Sequence, residues 1–454
     1  MKNDRDPIRP DDLAVLFGRC GLRPSMRCAL AVSGGSDSTA LMVLYADWLC
    51  QHGADMALHV VLTVDHGLRP ESAAEARTVA TQAERLGFPH ATLVWEGPKP
   101  CTGIQAAARN ARYRLMGNAM RAKGIALLLT GHTQDDRAET LLMRLARGSG
   151  LDGLAGMAPR LHFSDIGLGA AAPDEQEIAR PLLDVSRTRL RATLQARGIA
   201  WIDDPSNQSP EFERPRLRAA RAHLDSLGLT DAALALSATR LLRARRALDR
   251  VVGEFCSPDV GAVVVDPCGY VTIDRDRLRA AEEEIALRVA GRVIAAAGGS
   301  KEQVSLAKLE SIVASLLSKG TGTTRWTLAR AMITANDQMV TIEREPGREP
   351  LPRLGLSAGA QACWDGRFWV NVGADVETGT IEVRPLGEGA ARELQQQGAV
   401  NTYAPAKAVG MVPSFWRGDR LLAVPALEFW SDPNCRSTLG ARFIWKETVN
   451  RYRP

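Results

Sequence analysis

The stretch Ala29-Leu30-Ala31-Val32-Ser33-Gly34-Gly35-Ser36-Asp37-Ser38-Thr39 decides how this 454-residue chain is read. Cys28 to Val32 is apolar and predicts a buried strand. Leu41 to Leu49 is an apolar helical run. Between them lies a turn of two glycines and three serines. Glycine lets a backbone approach a ligand closely and take φ values that a side chain resists. A helix starting here points unpaired N–H groups and a partial positive charge at whatever lies above the turn. That arrangement binds phosphate. No lysine follows the glycines, so the stretch is not a GxxxxGK[ST] loop.

Working outward, strands and helices alternate. Ala57 to Val64 predicts a strand that ends in Asp65-His66-Gly67-Leu68-Arg69. A helix over Glu71 to Leu86, a strand over Ala91 to Trp95 and a helix over 103–122 follow. Ile125 to Leu129 predicts a further strand, ending at Thr130-Gly131-His132-Thr133. A helix then opens with Gln134-Asp135-Asp136-Arg137-Ala138-Glu139-Thr140. This alternation predicts an α/β fold with a doubly wound parallel sheet. Ligands of such sheets bind at the carboxyl ends of the strands, where all these polar groups fall.

Each motif has a structural and a functional reading. Asp65 can terminate a strand, or hold a ribose or orient a base; His66 and Arg69 can contact phosphate or substrate. Thr133 is a good N-cap and acidic residues suit a first helical turn, which accounts for Asp135 and Asp136. It does not account for Glu139, one turn on, or for His132 at the strand end. Carboxylates beside a phosphate loop can hold Mg²⁺ or an amine. Arg109 and Arg112 lie three apart on one helix face and can grip phosphates, or simply be solvated.

The SGGSDS string resembles the PP-loop of the N-type ATP pyrophosphatases, which split ATP between its α and β phosphates. Together with Val64-Asp65-His66-Gly67-Leu68-Arg69, the Arg112-Tyr113 helix and Gly131-His132-Thr133-Gln134-Asp135-Asp136-Arg137-Ala138-Glu139-Thr140, it resembles the tRNA(Ile)-lysidine synthetase family. The resemblance continues through Ile178-Ala179-Arg180-Pro181-Leu182-Leu183, Asp203-Asp204-Pro205-Ser206-Asn207 and Arg214-Pro215-Arg216-Leu217-Arg218. It covers residues 25–220.

The resemblance implies ligation of free L-lysine to C2 of the wobble cytidine in the CAU anticodon of tRNA(Ile), with ATP consumed to AMP and pyrophosphate. It implies ATP held by Ser33, Gly34, Gly35, Ser36, Asp37, Ser38, Asp65 and Arg112, with Mg²⁺ on Asp37. Lysine or substrate would be bound by Asp135, Asp136, Glu139, His66 and Arg69. Catalysis would fall to Asp37, Asp136, Glu139 and His132. Arg109, Arg214, Arg216, Arg218, Arg417 and Arg420 would contact tRNA. Three domains are expected: a catalytic domain over 1–225, a mixed α/β middle domain over 226–345 and a smaller strand-rich domain over 346–454. Residues 164–177 read as a surface loop, Arg187 to Gly198 as a helix and Thr230 to Val252 as a long helix with a basic stripe. Near the carboxyl end, Phe415 and Trp416 are core or base-stacking residues beside Arg417 and Arg420.

Composition sets the wider bounds. A net charge of +5 with a pI near 8.8 hints at an anionic partner. The eight cysteines form no CxxC pair, which fits reduced thiols in a cytoplasmic protein. The amino terminus has no apolar signal core, and no apolar run is long enough to span a membrane. The lack of CxxC argues against a PP-loop tRNA thiolase. An amidotransferase would need a nucleophilic cysteine in a matching context, which Cys20 and Cys28 lack. A non-catalytic tRNA-binding protein with a relic loop is the rival of another class; the intact Asp37, Asp65, Asp136 and Glu139 speak against it. No pattern encodes the oligomeric state, and a homodimer stays open.

Overall fold

The structure is a computed structural model that describes residues 6–67, 70–97, 99–100, 102–163, 176–203, 213–300, 304–318, 322–347, 350–376, 379–398, 404 and 406–445. The chain divides into two compact units, with the boundary between Arg245 and Arg246.

In the first unit, α1 (Pro10–Gly18) precedes β1 (Cys28–Ala31) and α2 (Ser36–Gln51). Then come β2 (Val60–Asp65), α3 (Ser72–Arg85), β3 (His90–Val94), α4 (Ile104–Ala122), β4 (Leu127–Thr130) and α5 (Gln134–Leu145). The unit continues with α6 (Leu151–Leu154), β5 (Arg160–His162), β6 (Glu177–Ala179), α7 (Arg187–Ala196), α8 (Glu213–Ala219) and α9 (Arg221–Ser226). A long helix, α10 (Asp231–Phe255), spans the boundary.

The sheet order is β3-β2-β1-β4-β6-β5, parallel except for β5 against β6. From β1 the chain winds outward to β2 and β3, then returns to β4 on the other side of β1. The topological switch point therefore lies between β1 and β4. Ala31 is paired with Thr130, so the loops after these two strands start side by side.

Alternate residues of the sheet face two apolar layers. Cys28, Leu30, Val61, Leu127 and Leu129 join α1, α2, α3 and α7 in one cluster. Ala29, Val60, Leu62, Leu128 and Ile178 join Tyr113, Met116 and Met120 of α4 in the other. This two-sided burial explains why the strands read as continuous apolar runs. Leu30 and Leu129 are fully buried, each contributing about 1.5–3 kcal/mol of hydrophobic stabilisation.

The second unit is mixed. A five-stranded antiparallel sheet orders Val263–Val265, Val271–Asp274, Met339–Arg344, Ala331–Ala335 and Thr324–Leu328. Helices Glu283–Gly298 and Leu306–Leu317 pack with it. Two further antiparallel sheets, of five and three strands, occupy Leu354–Phe443. One apolar cluster runs from Val252 to Phe443 through all three sheets. The loop expected at 164–177 lies mostly outside the described residues; its last member, Glu177, opens β6 instead.

Candidate active site

Both switch-point loops have glycines fixed by close packing. Gly34 has φ +89°, and a Cβ there would stand 2.5 Å from Cδ1 of Ile202. The backbone supports that approach, since Ile202 N donates to Gly34 O at 2.9 Å. Gly35, in extended conformation, is the N-cap of α2. The turn is cross-braced: Ser33 N donates to Ser38 Oγ at 3.1 Å, and Ser38 Oγ to Gly35 O at 3.1 Å. Thr39 Oγ1 donates to Gly34 O, also at 3.1 Å.

At the neighbouring strand end, α5 starts with a capping box. Thr133 N and Oγ1 donate to Asp136 Oδ2 at 2.9 and 3.0 Å, and Asp136 N donates back to Thr133 Oγ1 at 3.4 Å. Asp135 turns elsewhere, accepting from the backbone N–H of Arg187 at 2.8 Å at the start of α7. The capping box thus accounts for Asp136, which also has a second task, whereas Asp135 serves the start of α7.

That task is set by Arg187, a residue the sequence reading treated only as part of a helix. Its Nε donates to Asp37 Oδ2 at 2.9 Å and a terminal nitrogen donates to Asp136 Oδ1 at 3.3 Å. The other terminal nitrogen lies 3.9 Å from Glu139 Oε1. Glu139, only 1% exposed, is clamped by Arg218 at 2.7 and 3.3 Å and has Arg214 at 3.8 Å. Arg191, one turn beyond Arg187, donates to Ser36 Oγ at 3.4 Å. The only sequence signal for this pair was its i, i+4 spacing.

A cleft of about 1080 Å³ opens over these groups. Ser33, Gly35, Ser36, Asp37, Ser38, His66, Arg112, His132, Asp136, Arg187, Arg191, Arg214 and Arg218 line it. Gly34, Asp65, Arg109, Asp135, Glu139 and Arg216 are not among its lining residues. Asp65 Oδ1 accepts from Gly67 N at 2.8 Å and Ser72 Oγ at 2.6 Å, holding the turn after β2. Arg109 stacks over Tyr113 at 5.0 Å, and Arg216 is exposed. Arg69 and Asp204 to Asn207 lie outside the described residues. In the second unit Arg417 and Arg420 are exposed and paired across a hairpin, while Phe415 is core. Trp416 is half-buried, with Arg384 over its ring at 4.1 Å.

Burial raises the Asp37 carboxyl above its ordinary range despite Arg187. Burial works the same way on Asp136, but Arg187, His132, the Thr133 N–H and Arg214 together outweigh it and hold that carboxyl low. Burial also opposes the charge of Arg187, which Asp37 and Asp136 more than offset. Desolvation and the Arg180 guanidinium push His132 down to about 3. Desolvation and Arg112, whose nitrogen lies 3.4 Å from Nε2, push His66 down to about 4. Both imidazoles are neutral at pH 7.

Among the described residues no three acidic, histidine or cysteine side chains converge as a metal site. Asp37 Oδ1 accepts from Ser36 Oγ at 3.0 Å. Asp37 is the cleft carboxylate on the phosphate loop and would be the protein ligand of a Mg²⁺ ion shared with nucleotide phosphates.

A glycine-cradled helix start at the switch point, with carboxylates on the next strand end, defines a PP-loop protein, a class that uses ATP; residues 12–222 match the PP-loop domain family. The chain is 48% identical to the tRNA(Ile)-lysidine synthase of Rhodopseudomonas palustris over 54% of its length and 67% of that protein's. It is 42% identical to that of Methylobacterium nodulans, covering 70% of this chain and 90% of the relative. It is 35% identical to that of Brucella anthropi, covering 93% and 90%. The chain belongs to the tRNA(Ile)-lysidine synthase family. Among the described residues no helix is long and apolar enough to cross a membrane.

Proposed function

We propose that the cleft joins free L-lysine to C2 of the wobble cytidine in the CAU anticodon of tRNA(Ile), using ATP. The observation that carries this is the meeting, at one switch point, of a phosphate loop and a carboxylate pair. Asp37 and Asp136 are bridged by Arg187 in the same cleft.

In the first step the cytidine O2 attacks the α-phosphorus of ATP, and the bond to the α–β bridging oxygen breaks. The start of α2 and the hydroxyls of Ser33, Ser36 and Ser38 face the leaving pyrophosphate, with Arg112 and Arg191 as further cations. Mg²⁺ bound at Asp37 would supply additional charge neutralisation on the phosphates. In the second step the lysine ε-nitrogen attacks C2, the C2–O2 bond breaks and AMP departs. Asp136 and Glu139 attract the amine, and Asp136, the one that lines the cleft, is the better placed to take its proton. His132, held down to about 3, and Asp136, held below the usual carboxylate range, are both weak bases.

The cytidine must leave the anticodon stack to enter the cleft. Residues 226–345 and 346–454 would hold tRNA outside the anticodon, with Arg417 and Arg420 as phosphate contacts. A reaction that joins tRNA, ATP and free lysine fits a cytoplasmic setting.

The test combines the protein with ATP, Mg²⁺, labelled lysine and tRNA(Ile) carrying the CAU anticodon. Label recovered in the tRNA, dependent on ATP and absent with a methionine tRNA of the same anticodon, supports the reading. No label, with sulfur from labelled cysteine transferred instead, replaces it with a thiolase.

A further inference from the structure

The acidic cluster is already occupied by the protein's own cations. Arg187 reaches Asp37, Asp136 and Glu139, and Arg218 and Arg214 add to Glu139. Four carboxylates, counting Asp135, thus face three guanidinium groups. An incoming ammonium finds little uncompensated charge here, and the oxygens it needs are already accepting hydrogen bonds.

A nucleotide alters that balance. Arg187 lines the same cleft as Ser33, Ser36, Ser38 and Asp37, so phosphates seated on the loop lie beside its fork. A guanidinium pairs bidentately with phosphate as it does with carboxylate. The side chain is 18% exposed at the cleft wall, whereas its backbone N–H is tied independently to Asp135. The fork can therefore change partner without releasing the start of α7.

We propose that Arg187 is a cationic latch on the amine site: it holds Asp136 until nucleotide phosphates draw it away, so that lysine binds after ATP. This rests on the lysine-ligation reading above. Arg187 acts through the carboxylates and is a positioning residue. The order suits the chemistry, because an amine has no activated C2 to attack before adenylation.

The experiment is a calorimetric titration of L-lysine into the full chain, with and without Mg²⁺ and α,β-methylene-ATP, which cannot be cleaved between the α and β phosphates. In the unmodified protein the analogue strengthens lysine binding about tenfold or more, and lysine strengthens analogue binding by the same factor. In Arg187→Gln, lysine binds without nucleotide and the coupling falls below about twofold. Equal lysine affinity with and without the analogue in the unmodified protein overturns the latch, as does unchanged coupling in Arg187→Gln. Should that variant unfold on melting analysis, Arg187→Lys decides, because it keeps the charge but loses the fork: reduced coupling supports the latch, and full coupling overturns it. Lysine transfer to tRNA by the same preparation separates the two ideas. Transfer without coupling removes the latch alone; no transfer and no lysine binding in any variant removes both.

Discussion

A Cβ on Gly131 would stand 2.8 Å from the carbonyl oxygen of Asp37 and 2.9 Å from the Cα of Ser38. The loop after β4 therefore rests on the first turn of the phosphate-loop helix, backbone against backbone. No flexible side chain is present to yield. Gly131→Ala should force the two loops apart, with a stability loss of about 1–3 kcal/mol from overpacking. Pyrophosphate release should fall much further than stability, because the displacement falls on the groups that hold the phosphates. Melting curves and a pyrophosphate assay check both.

Arg218 and Arg216 share a short helix and should behave oppositely. Arg218 is the nearest partner of the buried Glu139, so Arg218→Ala should cost about 2 kcal/mol or more through a carboxylate left under-paired. Arg216 is exposed, and Arg216→Ala should leave stability within about 0.5 kcal/mol. Its effect, if it faces tRNA, should be a weaker and less salt-dependent tRNA affinity. Denaturant unfolding and filter binding at two salt concentrations distinguish them.

The two cleft histidines make the protein acid-sensitive in a defined window. Desolvation lowers His132 to about 3 and His66 to about 4, from an ordinary 6.5 in the unfolded chain. Below pH 6.5 the unfolded state takes up protons that the folded state refuses, so stability falls as pH drops toward 4. Asp136 adds to this at lower pH: its depressed carboxyl contributes stability above the ordinary carboxylate range, lost as pH falls through the folded value. His132→Asn should flatten the fall in melting temperature between pH 7 and 5. A slope unchanged by that variant contradicts the assignment.

Much of this was legible in the sequence because local rules and the fold agree. Cys28 to Val32 reads as one apolar run because both faces of a parallel strand are covered, and the glycines at 34 and 35 mark the turn above it. The site was less legible where a residue's partner comes from a distant segment. Asp135 and Glu139 share helical spacing, yet Asp135 turns to the N–H of Arg187, 52 residues away in sequence. Arg214 and Arg218 read as tRNA contacts, but their own i, i+4 spacing turns both onto Glu139. Arg187 looked like one more basic residue on an amphipathic helix. Nothing local predicts that α7 packs against α2 and delivers it to Asp37.

In the proposed reaction one cleft performs adenylation at the loop and amine attack at Asp136. Asp136→Asn separates the two, since the amide retains an oxygen for the capping box but loses the charge and the basic site. With ATP labelled at the α-phosphate, labelled lysine and tRNA(Ile), the account predicts that this variant accumulates adenylated tRNA and incorporates little lysine. Normal lysine incorporation by Asp136→Asn would contradict it.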